Sequence, residues 1–444
     1  MSIEEQNKAR FNQGSLNRIS LHMLLRVTVG CMGLAAEPRF VGNLYGGDPS
    51  AAMRLLAQTS GASGLVQFLL NPTFGMMSDT LGRKIFFMVG PLTNAIANLC
   101  CAIFPTNIPL FAITRVIAKA MITLSGSTVC AAALSDLASG DALSNAFAQL
   151  GSCASLGVCV GPLIGTAMLS RGVSVTSCYF VQAMAGFLHT MIVAVLIRET
   201  LPRDERRPFV GFKNPFSFVK LFTCGRPLRL MSLSCGFACF ADGGNLNDIE
   251  QMWIANDVAD MGLTANSIYL SLWGILGGAG GLFVPAVLPV LGKRRFATLT
   301  TWMNCLACIL WGAVPRAWAM FAGIGLHFPG INANSSLPLK TQATCLAIAA
   351  GFGRGEFAGY FGNLRALTVA VGPYWFGNMY AWGRTVVPGR NLGYWSAAVL
   401  GCAMPEILHR MLSDSDFEMA SMADVDNSNA GSAKTLDDAG DSKA

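Results

Sequence analysis

Long apolar segments alternate with short polar ones along most of the chain. Several of the apolar segments contain no Asp, Glu, Lys or Arg, namely 85–114, 142–170, 172–197, 261–292 and 317–339. Each exceeds the roughly 20 apolar residues that a helix needs to cross a lipid bilayer. Glycine and proline recur inside these segments, which is typical of packed membrane helices and unfavourable in water-soluble ones. The pattern therefore predicts an all-α protein whose helices span a membrane.

Turn residues and charges divide this pattern into twelve predicted transmembrane helices. In the first half they are expected near 19–37, 57–78, 84–105, 109–134, 145–169 and 174–197. In the second half they are expected near 229–253, 266–290, 296–314, 317–339, 357–382 and 392–411. Residues 1–18 are interpreted as a polar cytosolic tail with no cleaved targeting segment, and 413–444 as a disordered acidic tail.

An internal repeat divides the chain in two. The polar stretch 198–228 is the longest interruption of the apolar pattern, so it is the predicted cytosolic linker between a bundle at 19–197 and a bundle at 229–412. A shift of 211 residues brings similar residues into register at equivalent places in the two halves: Gly161-Pro162 on Gly372-Pro373, and Arg83-Lys84 on Arg294-Arg295. The expected fold is two pseudo-symmetric six-helix bundles that flank a central cavity.

Charge supports a membrane protein and sets its orientation. Asp, Glu, Lys and Arg make up 13% of the chain, about half the usual share of a globular protein. Basic residues are concentrated on the connections that lie on the same side as the amino terminus. Both termini are therefore predicted to be cytosolic, while the plasma membrane and organelle membranes stay equally open.

Other classes of function find little support. The 14 cysteines fall mostly inside apolar runs, and Cys305 and Cys308 have no second Cys or His pair, so neither a metal nor another cofactor is expected. The glycine-rich segments lack the ending of a phosphate loop, and no nucleophile elbow is present. We therefore expect no enzyme and no nucleic-acid partner. The expected partners are the lipid bilayer and a small-molecule substrate, with protons as a candidate co-transported ion. The protein is expected to be a monomer.

The segment after the second predicted helix carries a recognisable motif. It contains Gly75, Asp79 and Gly82, followed by the basic pair Arg83-Lys84. This closely resembles the loop signature of the major facilitator superfamily. Gly75 permits a close helix crossing, and Asp79 can face an arginine or a helix amino terminus. The five residues are therefore expected to act as a conformational latch that holds the two halves together.

Further segments resemble the drug and tetracycline antiporter branch of the same superfamily. They include Ala133-Leu-Ser-Asp136-Leu, the glycine and proline signature of predicted helix 5, and the corresponding part of helix 11. The resemblance implies the major facilitator fold and a proton antiporter. Residues of these signatures are expected to bend helices 5 and 11 where the halves meet: Gly157, Gly161, Pro162, Gly165, Gly372 and Pro373.

Ionisable residues inside apolar segments are the candidate cavity residues, because they are costly in a membrane unless they face a cavity or a partner. They are Arg26, Arg115, Lys119, His189, Asp242 and His327. All but His189 lie on helices 1, 4, 7 and 10, which line the cavity in the superfamily. Arg115 and Lys119 share one helical face, which favours an anionic or zwitterionic ligand. The alternative is that Asp242 simply pairs with one of them.

Asp242 is also the expected coupling carboxylate. It lies near the middle of predicted helix 7 and is followed by Gly243, Gly244 and Asn245. His327 is a second candidate for carrying protons, with ordinary hydrogen-bonded packing as the alternative. The stretch after helix 7 is interpreted as an acidic connection with Asp248, Glu250, Asp257 and Asp260.

The pattern as a whole predicts a secondary transporter that moves a small organic solute by alternating access. Coupling to protons is one form of this function, and an uncoupled facilitator is another. A membrane receptor or sensor built on the same fold is the alternative from a different class. The sequence does not identify the solute or the direction of its movement.

Overall fold

The computed structural model describes residues 3–138, 140–206, 208–209, 211–212, 214–328, 337–352 and 354–416. The first half contains α1 (Ile3–Met32), α2 (Glu37–Leu44), α3 (Pro49–Leu81), α4 (Arg83–Ile103), α5 (Ile108–Thr123), α6 (Val129–Leu137), α7 (Gly140–Ser170) and α8 (Val175–Leu196). The second half contains α9 (Arg226–Ala238), α10 (Gly243–Asn256), α11 (Leu263–Leu291), α12 (Lys293–Ala313), α13 (Ala317–His327), α14 (Leu337–Ala349), α15 (Arg354–Val386), α16 (Leu392–Ala398) and α17 (Met404–Arg410).

Several of these helices are long and apolar enough to cross a membrane. Within the described residues there are six, or seven if the bent helix α11 is counted as one span. On the outward face of α8, for example, the apolar side chains of Leu188, Met191 and Val195 are exposed at helical spacing. The all-α membrane fold is confirmed, and the count of twelve spans stays a prediction. Residues 329–336 of predicted helix 10, and the acidic tail from 417 onward, lie outside the described residues.

Predicted helix 7 is wrong as a single continuous helix. The chain forms α9, a short 3-10 turn at Cys239–Ala241, and then α10. Asp242 joins the two parts with an extended backbone at φ −59° and ψ 136°. The two glycines that follow Asp242 are poor helix formers, which explains a break at this point. Asn245 stabilises the break, because its side-chain nitrogen donates a hydrogen bond to the Cys239 carbonyl at 2.7 Å.

The break also corrects the interpretation of the acidic stretch that follows. Asp248 and Glu250 do not belong to a connection: both lie within α10, and their side chains are buried. Asp257 ends α10 and accepts a hydrogen bond from Tyr380 at 2.6 Å. Asp260 lies in the following loop and pairs with Arg316 at 3.0 Å.

Small residues allow the helices to approach closely. A Cβ atom added at Gly161 of α7 would lie 2.6 Å from the Thr28 carbonyl oxygen of α1. A Cβ atom added at Gly64 of α3 would lie 2.5 Å from the backbone of Val369 and Ala370 in α15. The first contact lies within one half, and the second joins the two halves. Backbone contacts this close require glycine.

The expected helix 5/11 interface is therefore only partly right. Helices 5 and 11 correspond to α7 and α15, and each reaches the other half, α7 against α11 and α15 against α3. The glycines of the Gly-Pro signatures, however, face inward within their own halves, while Pro373 lines the cavity. Gly161 packs on α1, and Gly372 lies against Asn245 at the start of α10. The two signatures occupy equivalent places, since each packs on the first helix of its half.

Two further features change the course of predicted helices. A π-helical turn at Leu124–Thr128 separates α5 from α6 inside predicted helix 4. In α11 the axis bends by 54° between Gly280 and Phe283. The glycine-rich run Gly277–Gly281 and the nearby Pro285 account for this bend, because proline removes a backbone donor from the preceding turn.

Candidate functional site

A cavity of about 1840 Å³ lies between the two halves. Its walls come from α3, α5 and α7 on one side and from α10, α11 and α15 on the other. At one end, here called the Asp79 end, it reaches Asp79, Glu356 and the linker residue Asn214. Asn214 and Glu356 are exposed there, and the Asp79 side chain is 37% exposed. At the opposite end, here called the Asp248 end, Ser60, Arg115 and Asp248 are buried. The cavity is thus open toward the Asp79 end and closed at the Asp248 end.

Arg115 is the centre of the closed end. Its guanidinium lies 2.7 Å from Glu37 of α2 and 3.0 Å from Asp248 of α10. It also donates hydrogen bonds to the hydroxyls of Thr59 at 2.7 Å and Ser60 at 2.8 Å. Two carboxylates and two hydroxyls satisfy a buried cation that would otherwise be very costly at this depth.

Lys119 lies one helical turn from Arg115 and completes the cluster. Its ammonium group is 3.1 Å from Asp248 and 2.7 Å from the Ser60 hydroxyl. Ser60 in turn donates a short hydrogen bond to Asp248. Asp248 is 4% exposed, whereas the Lys119 side chain is 36% exposed and faces the cavity. Asp248 is the single contribution of the second half to this set of contacts, so it joins the halves at the closed end.

The alternative reading, in which Asp242 pairs with Arg115 or Lys119, is wrong. Asp242 instead pairs with Arg365 of α15 at 3.1 Å, inside the second half. The pairing follows from the break in helix 7, which places Asp248, and not Asp242, opposite the first half. Asp242 still lines the cavity, and Arg365, whose side chain is 57% exposed, lines it with Asp242.

A second buried carboxylate lines the cavity on the side of the second half. Glu250 is 7% exposed and accepts a hydrogen bond from the Tyr269 hydroxyl at 2.5 Å. Trp273 lies one turn beyond Tyr269 on α11 and also lines the cavity. The ring of His327 lies 5.0 Å from the ring of Trp273. His327 is therefore packed among aromatic side chains at the cavity wall, and Glu250 and Tyr269 were not among the expected site residues.

Arg26 and Asn245 do not line the cavity. Arg26 turns into the first half, where it donates a hydrogen bond to the Ile122 carbonyl at 3.1 Å. It lies against Gly126 in the π-helical turn, where a side chain would collide with its guanidinium. His189 also faces this interior, and its ring nitrogen is 3.0 Å from that of His22 on α1.

The expected latch joins helices of the first half only. Arg83 pairs with Asp79 at 2.6 Å and with Asp136 of α6 at 3.1 Å. Glu199, just after α8, accepts a hydrogen bond from the backbone nitrogen of Arg83 at 2.8 Å. The prediction that this motif links the two halves is wrong for this conformation, because all of these partners lie before residue 200. Gly82 begins α4 with φ 98°, a conformation that favours glycine.

Metal binding has no evident place in this site. Within the described segments, no three His, Cys, Asp or Glu side chains are grouped closely enough to hold a metal ion. At its closed end the cavity is lined by Lys119, which pairs with the buried Asp248. Its wall also carries the ion pair of Asp242 with Arg365 and the buried carboxylate of Glu250. Such a surface is suited to a small polar or charged organic molecule.

The sequence and the fold both match known membrane transport proteins. The family described as Major Facilitator Superfamily matches residues 20–373. The chain is 24% identical to the tetracycline resistance protein, class C, of Escherichia coli over 71% of its own length and 78% of that protein. It is 28% identical to the bovine (Bos taurus) major facilitator superfamily domain-containing protein 10. That match covers 41% of this chain and 36% of the bovine protein, so it spans well under two thirds of that relative.

Among solved structures, a similar fold occurs in the human organic anion transporter MFSD10 (TETRAN). The TM-score is 0.64 at 19% sequence identity, over 89% of this chain and 99% of that one. At this identity the likeness concerns the fold alone.

Proposed function

The chain belongs to the major facilitator superfamily and is a multi-pass membrane transport protein, and we propose that it is a secondary transporter that moves a small organic solute by alternating access. In this mechanism the two halves rock against each other, and the cavity between them opens to one side of the membrane at a time. The halves correspond to the predicted bundles at 19–197 and 229–412. The linker 198–228 lets them move while they stay connected.

The observation that carries the proposal is the asymmetry of the cavity. At the Asp248 end the halves are joined by ion pairs and by the close contact of α3 with α15. At the Asp79 end Asn214 and Glu356 are exposed, and the halves meet there through the long hydrogen bond from Asn71 to Asn363 at 3.4 Å. A carrier that rocks must break the bonds of Asp248 when it opens this end. The cluster of Arg115, Lys119 and Asp248 is therefore the proposed gate of the transporter.

We propose that the Asp79 end faces the cytosol. The basic residues Arg83, Lys84, Arg294 and Arg295 all lie at the starts of helices at this end, as the positive-inside rule requires of cytosolic connections. Both termini are then cytosolic, and the conformation described here faces inward. The motif around Asp79 and Arg83 then stabilises the cytosolic face of the first half.

The gate also suggests the class of solute. When Asp248 moves away with the second half, Arg115 keeps Glu37 but Lys119 loses its carboxylate. An acidic group of the solute can take the place of Asp248, and this compensates the cost of opening. The human protein of similar fold is an organic anion transporter, which agrees with such a solute. We infer that the solute carries an acidic group that binds at Lys119.

Coupling to protons is the proposed source of energy. Asp242 stays a candidate, because it lies on the cavity wall beside an arginine that is itself exposed. Release of Arg365 in the other conformation would leave this buried carboxylate free to take up a proton. An antiporter of this kind exchanges a proton for the solute as the halves rock.

Sealed vesicles that contain the purified full-length protein test the proposal. Membrane-impermeant arylsulfonates are used as labelled organic anions, because they stay charged at any working pH. A carrier exchanges labelled for unlabelled anion across the membrane, and a proton-coupled carrier also accumulates the anion when a pH gradient is imposed. Exchange without accumulation would indicate an uncoupled facilitator, and binding without exchange would indicate a receptor and contradict the proposal.

A further inference from the structure

Glu250 is a buried carboxylate with no positively charged partner. No Lys, Arg or His nitrogen of the described residues lies within 4.0 Å of it. Every other deeply placed carboxylate around the cavity has one: Asp248 has Arg115 and Lys119, and Asp242 has Arg365. A carboxylate at this depth is unfavourable unless a cation or a proton neutralises it. The cation or the proton that neutralises Glu250 can reach it from the cavity that Glu250 lines.

The surroundings of Glu250 are suited to an organic cation. The Tyr269 hydroxyl fixes one carboxyl oxygen, and Trp273 presents an aromatic ring to the same cavity. Aromatic faces attract ammonium groups through the negative charge density of the ring. Trp273 is held in place by the neighbouring rings of His327 and Trp311, at 5.0 and 6.1 Å.

An unpartnered polar atom on the same cavity gives independent support. Asn304 of α12 is 5% exposed and lines the cavity, and its side-chain oxygen has no hydrogen-bond partner. A buried acceptor without a donor is costly, at about 1 to 3 kcal/mol. An ammonium group has only donors to offer, so a cavity wall that presents this oxygen and the Glu250 carboxylate is suited to a donor group.

We propose that Glu250, with Trp273 one helical turn from its partner Tyr269, forms a subsite for the ammonium group of the transported solute. The proposal rests on the transporter function inferred above and adds to it the positive group of the solute. With an acidic group at Lys119 and an ammonium group at Glu250, the solute is zwitterionic. In the empty cavity the carboxyl group carries a proton, and arrival of the ammonium releases that proton to the cavity water. The site gains one positive charge with the ammonium group and loses one with the proton, so its net charge does not change.

Binding of simple probes to the purified full-length protein tests the subsite. Phenethylamine and benzyltrimethylammonium carry a positive charge, while phenethyl alcohol has a similar shape and none. The dissociation constants are measured by titration calorimetry in lipid nanodiscs. We expect both cations to bind roughly thirtyfold more tightly than the alcohol, from one charge-assisted hydrogen bond or cation–π contact. Equal affinities for the cations and the alcohol would overturn the proposal.

Matched variants of two cavity carboxylates test whether Glu250 causes the preference for cationic over neutral probes. Glu250→Gln should remove the preference for cations and leave binding of the alcohol unchanged, and Glu250→Asp should retain part of the preference. Glu356→Gln is the control, because Glu356 also lines the cavity and also bonds to a tyrosine, Tyr360 at 2.6 Å, but lies exposed at the Asp79 end. Loss of the preference in the Glu356 variant, or its survival in Glu250→Gln, would refute the assignment.

The two proposals fail in different ways. Movement of the halves is measured by distances between labels, without any amine, so it can be confirmed while the ammonium subsite is refuted. Binding of the alcohol by Glu250→Gln shows that the variant is folded. If that variant does not fold, Glu250→Asp and the wild-type comparison of charged and neutral probes still decide the outcome.

Discussion

Replacement of Asp248 by asparagine should open the cavity at the Asp248 end. Asp248 holds Arg115 at 3.0 Å and Lys119 at 3.1 Å, and it is the link between the halves in this cluster. Asparagine keeps the shape but removes the negative charge. Arg115 retains Glu37, while Lys119 is left without a carboxylate. Loss of one partner from a buried ion pair costs about 3 kcal/mol. The closed state should therefore lose roughly a hundredfold in population relative to the open one.

Distances between spin labels measure this change. Thr106 and Thr385 are exposed at the Asp248 end, one in each half, and can be replaced by labelled cysteines. Cys224 is replaced by serine, because it is the exposed native cysteine of the described chain. Double electron–electron resonance should show one short distance in the parent protein and a longer distance in the Asp248→Asn variant.

A matched control separates the gate from a general effect of charge. Asp260 lies at the same end in a loop of the second half and pairs with Arg316, but both side chains are exposed. Exposed pairs contribute about 0 to 1 kcal/mol, so Asp260→Asn should leave the distances unchanged. An unaltered distance distribution in the Asp248→Asn protein would refute the role of Asp248 as the closing contact.

Three further predictions concern other contacts. Arg83→Gln should lower the free energy of unfolding by about 1.5 kcal/mol, because Asp79 and Asp136 lose the charge-assisted hydrogen bonds of the buried Arg83. A thermal unfolding assay on the purified protein checks this, and an unchanged melting temperature would contradict it. Gly64→Leu should force α3 and α15 apart and lengthen the distance at the Asp248 end, which the same label pair measures. Gly75→Leu is the control and should leave this distance unchanged, because a Cβ atom at Gly75 meets nothing within 4 Å. Lys119→Gln should weaken arylsulfonate binding roughly tenfold or more, and unchanged affinity in calorimetry would exclude Lys119 as the contact for the acidic group.

The features that the sequence predicted correctly are those with a local or periodic signature. Long uncharged runs require a bilayer around them, and α4, α7 and α8 lie close to their predicted positions. The repeat at 211 residues also has a counterpart in the structure. Gly161 and Gly372, which correspond at this shift, each pack on the first helix of their own half. Such features depend on residue type and spacing, which the sequence shows directly.

The partners of the charged residues required the structure. Arg115 and Asp248 are 133 residues apart, and no local pattern links them. The sequence favoured Asp242 because helix 7 was taken as continuous. The glycines after Asp242 were the available signal of a break, and the burial of Ile249 and Trp253 at helical spacing shows that α10 is a packed helix and not a connection. Glu250 was missed for the same reason.

The partners of the latch motif also depend on how distant segments pack, so the sequence did not reveal them. Asp79 and Arg83 were expected to link the halves, yet their partners are Asp136 and Glu199 of the first half. Predicted helix 4 brings Asp136 to this place only after a π-helical turn has shifted its register. A turn of this kind has no reliable sequence signature.

Alternating opening of the two cavity ends can be followed by two distances measured in parallel on the same protein. Labels at Thr106 and Thr385 report on the Asp248 end, and labels at the exposed Ser135 and Ala349 report on the Asp79 end. We expect Asp248→Asn to lengthen the first distance and to shorten the second, with matching changes in population. An increase at the Asp248 end while the Asp79 end stays open would contradict alternating access.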